Sequence, residues 1–124
     1  MSAIAPWLSV TDATAAVSFY RAAFGATSGE IFEVDGAVQV AQLFVAGAPF
    51  WVQQDDDLPV DIDPGRAVRM IVVVDHPTGA LAQAVAAGAT EIAGVHDQNG
   101  WQTGRFRDPF GHQWEVARPT ESGH

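Results

Sequence analysis

At 124 residues the chain is long enough to bury a core of its own and falls in the usual size range of one domain, so a single domain over residues 1–124 is expected. Its 15 acidic residues against 6 basic ones, all six of them arginine, give a net charge of −9; this denies nucleic acid the positive face it needs and suits a neutral or cationic small ligand. The absence of cysteine excludes disulfides, thiolate metal sites and cysteine nucleophiles, and no apolar run approaches the ~20 residues that cross a bilayer.

The N-terminal MSAIAPWLSV has neither a basic n-region nor an apolar h-region, so it does not read as a secretory signal and the cytoplasm is the expected compartment. Ile4 to Val10 reads as a short apolar strand running into Thr11-Asp12, where a side-chain oxygen can accept from the free N–H groups of a first helical turn. Ala13, Val17, Tyr20 and Phe24 then recur on one helical face, and Gly25 supplies the left-handed residue that stops the helix. Three strand candidates follow: Glu30 to Val34, Ala37 to Val45 and Ala48 to Gln53, with Asp35-Gly36 as a two-residue hairpin turn. Gln54 to Arg66 holds five Asp and two Pro without periodicity and reads as a solvated linker that could also meet a cation.

The same order then repeats. Val68 to Val74 is apolar, Asp75-His76-Pro77 opens a helix, Leu81, Ala84 and Val85 share a face, and Gly88 stops it. Thr90 to Val95, Trp101 to Arg107 and His112 to Arg118 are the next strands, with Asp108-Pro109-Phe110-Gly111 as a turn. Leu8, Val10, Asp12 and Gly25 realign with Ile71, Val73, Asp75 and Gly88 at an offset of 63, and Gly47 and Val52 with Gly111 and Val116 at 64. Two copies of one supersecondary unit explain this most simply: an α+β chain of two tandem βαβββ modules, about residues 4–53 and 67–118, joined by a linker over 54–66.

The tandem βαβββ plan, Phe19-Tyr20 followed by Phe24-Gly25-Ala26, and the run Arg107-Asp108-Pro109-Phe110-Gly111-His112-Gln113-Trp114-Glu115 together resemble the glyoxalase, bleomycin resistance protein and extradiol dioxygenase superfamily, the vicinal oxygen chelate proteins, over about Ile4 to Arg118. The resemblance implies cupped mixed sheets with helices on their outer faces, a homodimer, and a ligand cavity on the concave side. It also implies four metal-ligand positions, which fall here on Ala5, Trp51, Val68 and Glu115. Only Glu115 can bind a metal, and catalytic sites of this kind need three or four protein ligands, so no metal and no other cofactor is expected.

Period-two alternation puts Trp7 and Ser9 on one face of the first strand, with Met70 and Val72 as counterparts, and sets Gln42, Phe44, Trp51 and Gln53 beside Trp7. By the same reckoning Glu115 shares a face with Gly104 and Phe106, and Trp101 stands at a rim next to Asn99-Gly100. These residues make the candidate ligand site: Trp7, Gln42, Phe44, Trp51, Gln53, Met70, Trp101, Phe106 and Glu115. Trp114 and Phe110 read as core. His76 falls at a helix start, His96 in a loop, His112 past the last turn and His124 at the terminus, so no histidine is expected in the cup. A charged Glu115 there needs an arginine, a cationic ligand or a raised pKa. No G-x-S-x-G, phosphate loop or calcium loop is present.

The favoured reading is a metal-independent binding protein of the bleomycin-resistance-like branch that sequesters an aromatic or cationic natural product or antibiotic. The alternatives are a lyase, isomerase or dioxygenase with Glu115 as general base or residual metal ligand, and a dimeric scaffold without ligand. No membrane partner is expected.

Overall fold

Two short apolar strands, each followed by a helix and three longer strands, recur in the computed structural model, which describes residues 5–56 and 69–120. The chain divides into two compact units, Met1–Val60 and Asp61–His124. Among the described residues no helix is long and apolar enough to cross a membrane. Val68 and all of the expected linker beyond Asp56 lie outside the described residues.

In the first unit, β1 (Trp7–Val10), α1 (Ala13–Phe24), β2 (Thr27–Val34), β3 (Ala37–Val45) and β4 (Ala48–Gln54) form one mixed sheet in the order β1-β4-β3-β2. Asp12 caps α1 as its side chain predicts, its Oδ1 accepting from Ala15 N–H at 3.0 Å. Gln54, at the end of β4, adds a second anchor, accepting from Ala13 N–H at 2.8 Å and donating to Thr11 C=O at 2.7 Å. Gly25 takes φ 67° and closes the helix with its N–H on Arg21 C=O. Asp35 and Gly36 both take positive φ (52° and 80°), the geometry of a tight hairpin turn.

The buried face of this sheet presents Leu8, Val10, Ala41, Leu43, Phe50 and Val52 to Ala16, Val17 and Tyr20 of α1. Tyr20 meets Phe50 edge to face at 5.3 Å between centroids. Phe24, placed by periodicity on the same helical face, is half-buried at the helix end.

The second unit runs β5 (Met70–Val73), α2 (Pro77–Ala86), β6 (Thr90–Gln98), β7 (Trp101–Arg107) and β8 (Gln113–Pro119), with sheet order β5-β8-β7-β6. Pro77 occupies the first turn of α2, where its missing N–H costs no bond. Leu81 and Ala84 are buried; Val85 is 41% exposed, because α2 is short and only one narrow stripe of it meets the sheet. A Cβ on Gly104 would stand 3.2 Å from Leu81 Cδ2 and 3.0 Å from Val95 Cγ2, so glycine at this point of β7 allows the helix to approach. Phe106 and Trp114 stack beneath it at 6.5 Å and 4°, with Val116 beside them.

The turn after β7 is built on Asp108, only 3% exposed. Its Oδ1 accepts from the N–H groups of Phe110 and His112, both at 2.9 Å, and its Oδ2 from Trp114 Nε1–H at 2.9 Å. His112 therefore serves the turn through its backbone, and Phe110 is half-buried at its crest.

Candidate functional site

In the first unit, parallel pairing of β1 with β4 sets Trp7 opposite Trp51 and Ser9 opposite Gln53, and antiparallel pairing of β3 with β4 sets Gln42 opposite Trp51 and Val40 opposite Gln53. Directly opposed residues share a face, so Trp7, Gln42, Phe44, Trp51 and Gln53 occupy the face away from α1. The two indoles lie 6.0 Å apart at 25°, and Trp7 Nε1–H donates to Gln53 Oε1 at 2.7 Å. Gln42 and Phe44 reach across Gly29 of β2; a Cβ on Gly29 would come within 2.6 Å of Gln42 Oε1 and 2.8 Å of Phe44 Cε2.

The second unit corrects the expected faces. Glu115 is paired with Arg105 and, across β5, with Ile71, whereas Met70 is paired with Trp114. Phe106 is fully buried against Trp114, on the face that receives α2. Phe106 and Met70 thus belong to the side of the sheet opposite Glu115.

For Phe106 the reason is the position of one inserted residue. Gln42 and Arg105 are related by 63 and Trp51 and Glu115 by 64, so the extra residue lies in the turn between β7 and β8. A one-residue change in that count moves every partner to the other face. The counterpart of Gln42 is therefore Arg105; in β5 the offset is already 64, Ile71 pairing with Glu115 as Trp7 does with Trp51, so Ile71 and Val73 occupy the face assigned to Met70 and Val72.

Around Glu115 a pocket of about 350 Å³ is lined by Arg69, His96, Gln98, Asn99, Trp101, Thr103, Arg105 and Glu115. Arg69 Nε stands 3.0 Å from Glu115 Oε1, and Thr103 Oγ1–H donates to Oε2 at 2.6 Å. The carboxylate, whose side chain is 14% exposed, thereby keeps its charge compensated, as a mostly buried anion must. Of the expected site residues, only Trp101 and Glu115 line this pocket.

His96 is the residue that sequence reasoning placed elsewhere. It lies within β6, not in a loop, because β6 continues to Gln98 and turns at Asn99-Gly100, both at positive φ. An irregularity between Ala93 and His96 shifts the register, so that Ala93 pairs with Arg105 while His96 pairs with Thr103. That shift aims His96 at the Glu115 face. Its Nδ1 lies 2.8 Å from Gly94 C=O and its Nε2 3.2 Å from Gln98 Oε1. These acceptors, the backbone carbonyl first and the amide second, favour the doubly protonated ring and raise its pKa from the usual 6.5, against smaller opposing effects of burial and of Arg105.

The metal implied by the resemblance does not fit these residues. Ala5, Val68 and Trp51 offer no lone pair to a divalent cation, Glu115 has both oxygens engaged, and the imidazole nitrogens of His96 face acceptors. Among the described residues no three His, Cys, Asp or Glu side chains are grouped to hold an ion.

Two mixed βαβββ sheets, each with its helix on one face and its polar residues on the other, define a module-pair protein of the vicinal oxygen chelate type. A family model described as a glyoxalase-like domain matches residues 7–117, and the chain belongs to that family, within the superfamily of glyoxalases, bleomycin resistance proteins and dioxygenases. An uncharacterised protein of Mycobacterium bovis is 34% identical over 128 residues, covering 94% of this chain and 83% of its own. TioX from Micromonospora sp. ML1 shares the fold at TM-score 0.74 and 24% identity, covering 96% of this chain and 97% of its own. A glyoxalase/bleomycin resistance protein/dioxygenase family enzyme from Burkholderia phytofirmans does so at 0.75 and 16%, with 91% and 94% covered.

Proposed function

We propose that this chain is a small-molecule-binding member of its family that works without a tightly held metal, and that the pocket around Glu115 is its ligand site. The observation that carries this reading is that both oxygens of Glu115 are already bound, one by Arg69 and one by Thr103. A carboxylate so engaged serves as a fixed part of a binding surface. To act as a general base it would have to take a substrate proton on a lone pair not already used by Arg69 or Thr103, which makes the lyase, isomerase or dioxygenase reading the weaker one. The volume of this pocket lies in the range of small-molecule sites, its lining is polar with one indole at the edge, and sequestration of an aromatic natural product or antibiotic is the biological form the reading takes.

The test is metal analysis combined with ligand binding. Protein purified without added metal, dialysed against buffer and examined by inductively coupled plasma mass spectrometry should hold well under one equivalent of Zn, Ni, Fe or Mn. Ligand affinity should be the same with and without a chelator. A stoichiometric metal that survives dialysis, or binding lost on chelation, would overturn the reading.

A further inference from the structure

The pocket of the second unit has a charge opposite in sign to that of the whole chain. Two guanidinium groups, Arg69 and Arg105, line it against one carboxylate, Glu115, while the chain as a whole carries −9. Arg69 is committed to Glu115 through Nε at 3.0 Å. Arg105 sits directly across the β7–β8 pair from Glu115 and across the β6–β7 pair from Ala93. Among the described residues it forms no ion pair. One positive charge is therefore left over, and its guanidinium is a forked donor suited to a planar oxyanion.

In its protonated form His96 adds to this field. Both ring nitrogens meet acceptors of the protein, so the imidazolium is held without needing a ligand atom. The charged groups that face it are Arg105 on β7 and Asp97 beside it on β6, with Arg69 and Glu115 in the same pocket. Trp101, 41% exposed, stands across from Gln98 and offers an indole face at the pocket's edge.

We infer that the pocket receives a ligand combining a planar aromatic body with a single anionic group, a carboxylate or an equivalent oxyanion, held by Arg105 with the aromatic body against Trp101. This rests on reading the pocket as the ligand site, and it replaces the cation suggested by overall charge. The chain's long-range field slows an anion's approach, whereas the short-range donor decides which ligand stays.

The experiment is isothermal titration of the full chain with three probes of one shape: 2-naphthoate, 2-naphthamide and 2-naphthylmethylammonium. 2-Naphthoate should bind about tenfold or more tightly than either of the others, as expected for a charge-assisted forked contact. Arg105→Gln should bring its affinity down to that of 2-naphthamide, and Arg105→Lys should keep part of the preference. Arg107→Gln removes the same charge from an exposed position outside the pocket and should leave the preference unchanged. Equal affinities for all three probes, or tightest binding of the ammonium, would refute the anion inference while leaving a small-molecule site standing. No binding of any probe up to millimolar concentration would remove both.

Discussion

Trp7 and Trp51 are direct partners across two parallel strands, with indole planes 25° apart and Trp7 Nε1–H held by Gln53 at 2.7 Å. Trp7 remains 52% exposed and Trp51 half-buried, so this pair forms a surface, and the core of the first unit lies on the other side of the sheet. Truncating Trp51 to alanine should cost about 1–2 kcal/mol, well below the roughly 3–5 kcal/mol of a fully buried tryptophan. Urea denaturation measures it. A loss in the full-burial range would mean that Trp51 is packing that the first unit cannot do without.

The hydroxyl of Thr103 and the carboxylate of Glu115 should behave as one unit. Thr103→Val removes the donor to Oε2 from a residue 5% exposed and should cost about 1–2 kcal/mol. In a Glu115→Gln background the same change should cost less than half as much, because the charged acceptor is gone. Arg69 contributes little to this balance, since its side chain is 42% exposed and solvent screens the pair. Equal costs of Thr103→Val in both backgrounds would show that the contact is not coupled.

Asp108 accepts three hydrogen bonds at a buried turn. Asp108→Asn retains one acceptor for the two backbone donors but turns an NH2 group toward Trp114 Nε1–H, leaving two donors facing each other. The expected loss is about 1–3 kcal/mol, read as a lowered urea midpoint. A variant as stable as the parent would exclude this account of the turn.

His96 should titrate above the usual 6.5. Because its folded pKa is raised, the stabilisation it brings is complete below the unfolded value and is lost as pH rises through the folded one. Gln98→Ala deletes one of its two acceptors and should move the pKa back toward 6.5. Imidazole proton shifts followed by NMR across pH 5–9 report it directly. Titration at or below the ordinary value in the parent chain would contradict the arrangement at Gly94 and Gln98.

Ile71 and Val73, on the edge strand β5, are 57% and 61% exposed, and Phe32 on β2 is 62% exposed. Such apolar side chains on edge strands are commonly covered by a partner, and the proposed partner is a second copy of this chain. Light scattering at micromolar concentration should give the dimer mass. A monomer throughout that range would dismiss the proposal.

The sequence by itself determined the order and type of the elements, though not the full length of β2 and β6, because each element's core is specified by neighbours within a few residues. Asp12 and Gly25 bracket α1, Asp35-Gly36 makes the first hairpin turn, and the 63-residue offset shows the second copy of the same plan. It also marked Glu115 as a charge in need of a partner. Which residues meet Glu115 was decided only in the tertiary structure. The extra residue in the turn after β7 brings Arg105 to its face and sends Phe106 into the core. The irregularity in β6 turns His96 to the same side, and pairing of β5 with β8 leaves Arg69, at the foot of β5, within reach of the carboxylate. Face parity in a sheet reverses with a single residue, and neither composition nor spacing shows where in a module that residue is inserted.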